Sequence, residues 1–238
     1  PQGLREALKT SNPAEINFSQ LCNELGRRYN GDAFQRIIYT DSHDSAANGS
    51  ARLSEVISPG KADSLFAQKQ LIIAAGLVLT APGIPMLFQG QEFMQGGSFN
   101  DWQAVDWRLA ERHAGIIEAH KHLIALRKND HGLTAWLTGR EINLMHVDEE
   151  NKVIAYHRWK NGGAKDDVVV VVNFGNRHFG DYAMNFPRSG KWQVRFNSTW
   201  KGYNPNFKEV PISEVTVETG AARLVLPPSS VIILSQDN

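Results

Sequence analysis

The chain has 238 residues, with 25 Lys+Arg balanced by 25 Asp+Glu, 42% hydrophobic and 21% charged residues. That is an ordinary globular composition with no net charge, which excludes disordered and fibrous classes and any grip on nucleic acid or anionic membrane by bulk electrostatics. A single cysteine, Cys22, permits no internal disulfide and fits a reducing, cytoplasmic setting, and no metal or cofactor is expected. The longest apolar stretch, residues 71–79, falls far short of the roughly 20 residues a membrane helix needs. The opening at Pro1 has no apolar core of a signal peptide, and the missing methionine leads us to expect a chain processed or cut from something longer.

Up to about residue 132 the pattern is helical with two short apolar strands. Residues 15–29 place Ile16, Phe18, Leu21 and Leu25 on one helical stripe, with Gly26 weakening the end. Residues 35–39 read as a buried strand through Ile37 and Ile38. Residues 64–80 read as a long helix, apolar on most faces, stopped by Ala81-Pro82-Gly83. A second short strand follows at 85–88, and residues 112–128 form an amphipathic helix with basic residues near its end. Strand–helix–strand–helix implies parallel strands with helices outside. Two strands cannot make an independent parallel sheet, so partner strands are expected to be missing.

After Leu133 the rhythm changes to period two. Ile142, Leu144 and His146 alternate, as do Val153, Ala155 and His157, around a turn at 148–151. Five consecutive valines from Val168 read as a fully buried strand. Further strands are expected at 192–196, 214–218, 223–226 and 230–235, an antiparallel β-sandwich of about 100 residues. The predicted organisation is residues 1–132 as one segment and 133–238 as the sandwich.

Three clusters could carry chemistry. Thr40-Asp41-Ser42-His43-Asp44 follows the first strand, at the carboxyl end where barrel and open α/β enzymes place their sites. His43 beside Asp44 suits gripping sugar hydroxyls or stabilising positive charge; the alternative is a helix N-cap by Ser42 or Asp44. Gln91-Glu92 follows the second strand, either as site residues or as a structural loop. Residues 99–107 combine Phe99, Trp102 and Trp107 with Asp101 and Asp106, a pairing of aromatic platforms and acids that suits carbohydrate; equally, the tryptophans could simply pin the loop. His120 shares the face of Leu123 and Ile124 and reads as a packing residue rather than a metal ligand.

At these residues a resemblance appears. Ile38-Tyr39-Thr40-Asp41-Ser42-His43-Asp44 resembles the fourth signature region of the α-amylase superfamily, glycoside hydrolase family thirteen. Residues 83–93, ending Gly90-Gln91-Glu92-Phe93, are similar to that family's eighth barrel strand. Ser42 and Val105-Asp106-Trp107 are most like branching enzymes, and the valine run with Pro187, Gly190 and Leu226-Pro227-Pro228 resembles the family's C-terminal β-domain. The resemblance implies the last two strands and helices of a (β/α)8 TIM barrel followed by the β-sandwich. It implies catalytic roles for Asp44 and His43, and substrate contacts by Ser42, Glu92, Trp102, Asp106 and Trp107. Asp44 would be the third carboxylate, binding hydroxyls of the reacting ring, while nucleophile and acid/base match no residue here. The implied activity is 1,4-α-glucan branching, with amylase-type hydrolysis or a non-catalytic glucan-binding chain as alternatives. The implied partners are an α-glucan and the remainder of the barrel or a second copy, with no nucleic acid and no membrane.

Overall fold

The computed structural model describes residues 3–237, apart from the side chain of Trp136; Pro1 and Asn238, which bound the two predicted segments, lie outside the described residues. Helices α1 (Gly3–Leu8) and α2 (Phe18–Gly26) come first. Asn17 caps α2 by accepting from the Gln20 N–H at 2.9 Å, which starts the helix three residues later than the stripe implied. A two-residue strand, β1 (Ile37–Ile38), is followed by the short helices α3 (His43–Ala46) and α4 (Leu53–Ile57). Helix α5 (Leu65–Thr80) is capped by Ser64 and is buried over nearly all of its length, as an all-round apolar helix must be.

Strand β2 (Ile84–Pro85) pairs parallel with β1, with Ile37 opposite Ile84 and Ile38 opposite Pro85. Backbone bonds Ile84 N–H to Arg36 O (3.0 Å) and Met86 N–H to Ile38 O (2.9 Å) fix the register. Both strands are shorter than expected. A 3-10 turn at Ala33–Gln35, capped by Asp32, occupies the start of the first, and among the described residues no further strand extends the ladder. Ile38 is buried in the same apolar core as α5, whereas Ile37 and Ile84 are 47% and 49% exposed.

Helices α6 (Arg108–Arg112) and α7 (Ala114–Lys128) follow. Near the end of α7, the buried Arg127 donates to Ala81 O (2.7 Å) and Gly83 O (2.5 Å). It thereby satisfies carbonyls left over where α5 stops. That burial pushes the Arg127 guanidinium down to about 10.

The remaining strands are β3 (Glu141–Asp148), β4 (Val153–Trp159), β5 (Val168–Asn173), β6 (Phe179–Asn185), β7 (Gly190–Asn197), β8 (Glu214–Val217), β9 (Ala221–Leu226) and β10 (Ser230–Ser235). Six form one antiparallel sheet in the order β3-β4-β5-β10-β7-β8, and β6 pairs with β9 in a second sheet. Strand β6 was not expected. Its FGDYAMN run carries Gly180 and Asp181, and a register shift between Phe179 and Tyr182 breaks the period-two signal.

The valines of β5 divide between two cores. Val168, Val170 and Val172 pack with the helices, while Val169 and Val171 pack with β6, β9 and Trp192. The large sheet therefore forms a β-sandwich with the small sheet on one face and is covered by a helical layer on the other. Arg158 of β4, fully buried, joins the layers by donating to Thr80 O, Glu141 O (2.7 Å), Leu137 O (3.3 Å) and Gly139 O. Tyr156 shares a hydrogen bond with the Thr80 hydroxyl beside it. Among the described residues, no helix is long and apolar enough to cross a membrane.

Candidate active site

Chain direction in the parallel pair sends the loops after β1 and β2 to the same end. They are tied there by Gln91, whose amide donates to Thr40 Oγ1 at 2.9 Å. The same side chain accepts from the Phe88 N–H at 3.3 Å, so Gln91 is the structural member of its loop. Gly90 opens that turn at φ 85°, where a Cβ would stand 2.7 Å from the Gln95 Cβ; both facts favour glycine.

Asp41 anchors the first loop. Its carboxylate is ion-paired with Arg5 of α1 and accepts from the Leu53 N–H through both oxygens, at 3.1 and 3.0 Å. One buried side chain thus closes residues 42–52 into a loop. Burial pushes the Asp41 carboxyl up to about 6, against the opposing pull of Arg5, the Leu53 N–H and Arg52. Arg52 donates to Gln89 O at 2.6 Å and lies over the Phe88 ring at 4.7 Å, joining the two loops again. Sequence reasoning missed Arg5, Asp41 and Arg52 as site-building residues. Asp41 was visible inside the motif, but nothing local shows that an arginine 36 residues earlier meets it.

Ser42 is buried and caps α3, its hydroxyl accepting from the Ser45 N–H at 3.2 Å while Ser45 Oγ accepts from the Ser42 N–H at 2.8 Å. The N-cap reading therefore holds for Ser42. It does not extend to its neighbours: His43 and Asp44 both project into solvent, with His43 Nε2 3.2 Å from Asp44 Oδ1. The His43 ring meets the edge of Phe99 at 6.4 Å, and Phe99 packs on Phe88 at 5.3 Å. Phe99 is held in turn by its N–H to Ala46 O at 2.6 Å. A capped turn thus presents an imidazole and a carboxylate side by side, next to an aromatic wall. Such a pair can bind two neighbouring hydroxyls, the carboxylate accepting and the imidazole donating.

The other candidates are spread around this centre. Trp102 is 95% exposed, with its backbone N–H on Asn100 Oδ1, so it does not pin its loop. Trp107 is 67% exposed and leans on Phe93 at 5.3 Å, which makes it the partial pin of the two. Asp106 is engaged by Arg108 through two bonds of 2.8 Å, and that hydrogen bonding holds its carboxyl below the usual 3.8. Glu92 is half-buried in the field of Arg52 and lines a cavity of about 230 Å³ with Phe88, Ile117 and His120. His43 is therefore brought beside both Asp44 and Phe99, while Glu92, Trp102 and Asp106 are not joined to them by any bond described. His120 is buried with Nδ1 2.9 Å from Ile116 O, and burial lowers its pKa, consistent with packing. No group of three or more His, Cys, Asp or Glu that could hold a metal occurs among the described residues.

Residues 144–237 match the family described as alpha amylase, C-terminal all-beta domain. Over 86% of its length the chain is 28% identical to the 1,4-alpha-glucan branching enzyme GlgB of Roseobacter denitrificans, and over 88% it is 31% identical to that of Novosphingobium aromaticivorans. It covers 29% and 30% of those proteins, so the chain spans less than a third of the curated relatives it matches. In fold it is similar to the Anoxybacillus sp. LM18-11 pullulanase crystallised with maltotetraose, at TM-score 0.70 and 19% identity, covering 99% of this chain and 34% of that one. The type I pullulanase of Bacillus subtilis str. 168, crystallised with maltose, gives 0.69 and 17%, covering 100% and 35%.

Proposed function

We propose that this chain is the C-terminal part of a retaining, cytoplasmic α-glucan branching enzyme. In this reading residues 1–132 supply the last two strands and helices of a (β/α)8 barrel, and residues 133–238 form the β-domain that follows. The observation that carries it is the parallel β1–β2 pair, open on its outer face at Ile37 and Ile84, with His43 and Asp44 at its carboxyl end. In a closed barrel that end is the catalytic mouth. The names of the relatives supply the choice of reaction.

The chemistry assigned to this chain is limited. A retaining enzyme needs a nucleophile and an acid/base on other strands, and the chain alone turns over no glucan. Asp44 accepts hydrogen bonds from hydroxyls of the reacting glucose, and its charge favours the ring as it gains oxocarbenium character. His43 donates to a hydroxyl of the same ring. Phe99 and Trp102 offer flat apolar surfaces for the sugar faces, and Trp107, Asp106 and Glu92 shape the approach from the second loop. The exposed strand pair meets the remainder of the barrel or a second copy.

The test incubates amylose with the isolated chain and with the complete enzyme, and reads α-1,6 linkages by NMR and reducing ends chemically. Branches from the complete enzyme alone are expected. Reducing ends without branches would replace branching by hydrolysis, and turnover by the isolated chain would refute the partial-barrel reading.

A further inference from the structure

Arg52 is buried, at 4% exposure, yet its side chain is engaged by a carbonyl and a ring. Nη1 donates to Gln89 O at 2.6 Å, the guanidinium lies 4.7 Å over Phe88, and Nε has no hydrogen-bond partner. Burial lowers its pKa against the opposing fields of Asp41 and Glu92. An apolar side chain of similar size would spare the cost of desolvating a charge, so packing alone does not account for a cation here.

Arg52 joins three segments of the chain. Its backbone N–H donates to Gly97 O at 2.8 Å, inside a clasp between residues 46–55 and residues 95–99. The clasp is made by the Phe99 N–H on Ala46 O (2.6 Å), Ser98 Oγ on Ser50 O (2.7 Å), the Gly97 N–H on Glu55 Oε2 (3.1 Å) and Ser54 Oγ on Gln95 O (3.2 Å). The Arg52 side chain reaches the third segment, residues 88–89. Phe88 and Phe99 meet edge to face at 5.3 Å and 76°, and Phe99 meets the His43 ring at 6.4 Å and 69°. The capped turn fixes the backbone of His43 but leaves its exposed side chain a choice of rotamers. The Phe99 wall selects among them.

We propose that Arg52 is a positioning residue for His43, acting through Phe88 and Phe99 to hold the imidazole beside Asp44. The aromatic relay rests on the geometry alone, whereas its consequence for turnover rests on the branching function proposed above. Arg52 is buried and acts only through these neighbours.

The experiment has two arms. In the 238-residue chain, NMR follows the Overhauser contact between the His43 and Phe99 rings in the parent, Arg52→Met, Arg52→Lys and Phe88→Leu. The contact is expected in the parent and in Arg52→Lys, whose ammonium can still donate to Gln89 O, and is expected to be lost in Arg52→Met and Phe88→Leu. Phe88→Leu keeps the buried cation, and it takes the place of Arg52→Met in both arms if that variant unfolds. An undiminished contact in the folded variants overturns the proposal. In the complete enzyme, Arg52→Met should lower kcat at least about tenfold with KM little changed, and Arg52→Lys should restore it to within about threefold. A merely structural role would lower the melting temperature and leave kcat of the folded fraction intact, which overturns the positioning role. If Asp44→Asn loses kcat while Arg52→Met keeps it, the positioning alone fails; if both keep it, the catalytic-mouth reading fails as well.

Discussion

The two parts of the molecule differ in how completely their elements are partnered. In the large sheet the four inner strands each have two neighbours, β3 and β8 lie at its edges, and both faces of β5 are covered, one by helices and the other by the small sheet. The β1–β2 pair has two residues per strand, with Ile38 buried and Ile37 and Ile84 about half exposed. Burial supplies the stabilisation in the first case, and it is incomplete in the second. The candidate site lies in the less covered part. The loops there are not loose, however, because buried polar groups (Asp41 with Arg5, Arg52, Gln91) do the fastening that strands do elsewhere.

The contrast can be broken most forcefully at Val170, which is fully buried in the middle of β5 and faces the helices. Val170→Asp places an unpaired charge there and should cost several kcal/mol, enough to abolish stable expression. If its thermal melt matched the parent's, the sheet would not be the stable half.

Acid should separate the two parts by sign. Asp41 has its carboxyl raised from 3.8 to about 6, so the folded state holds more protons than the unfolded one between those values. Relative to Asp41→Asn, the parent should gain stability as pH falls from about 6 to about 4, by the order of 2 kcal/mol. Asp167, in the sheet region, is also pushed up by burial. His157 at 2.7 Å, Arg188 at 2.9 Å and the Gly163 N–H outweigh this and leave it below 3.8. Its contribution is present above about 4 and lost as pH falls through its lower folded value, so relative to Asp167→Asn the parent should lose stability in acid. Chemical denaturation of the three proteins between pH 3 and 7 checks both signs, and parallel behaviour would remove the contrast.

The smallest effect belongs to Trp102. At 95% exposure it contributes nothing to the fold, and Trp102→Ala should leave the melting free energy within about 0.5 kcal/mol. A larger loss would mean that the ring pins its loop after all.

Legibility followed the same division. Helix α5 and its stop at Ala81-Pro82-Gly83 were readable because continuous apolarity and proline act locally. The valine strand was readable too, though not that its even and odd valines serve different cores. Strand β6 was lost because its register shift hides the alternation. His43 and Asp44 could be singled out from their place after a strand. Their support could not: Arg5 reaches Asp41 across 36 residues, and Ser42 was classed with the substrate contacts although its hydroxyl is spent on capping.

The central claim is that Asp44 faces the reacting sugar, and the most direct measurement is kcat of Asp44→Asn in the complete enzyme, taken with its melting temperature. The substitution keeps the shape of an exposed side chain and removes its charge. It should lower kcat by about 10²–10³ with KM little changed and the melting temperature unmoved, since the lost interaction is made in the transition state. A parental kcat in the folded variant would contradict the assignment and leave the His43–Asp44 pair as a surface feature of a capped turn.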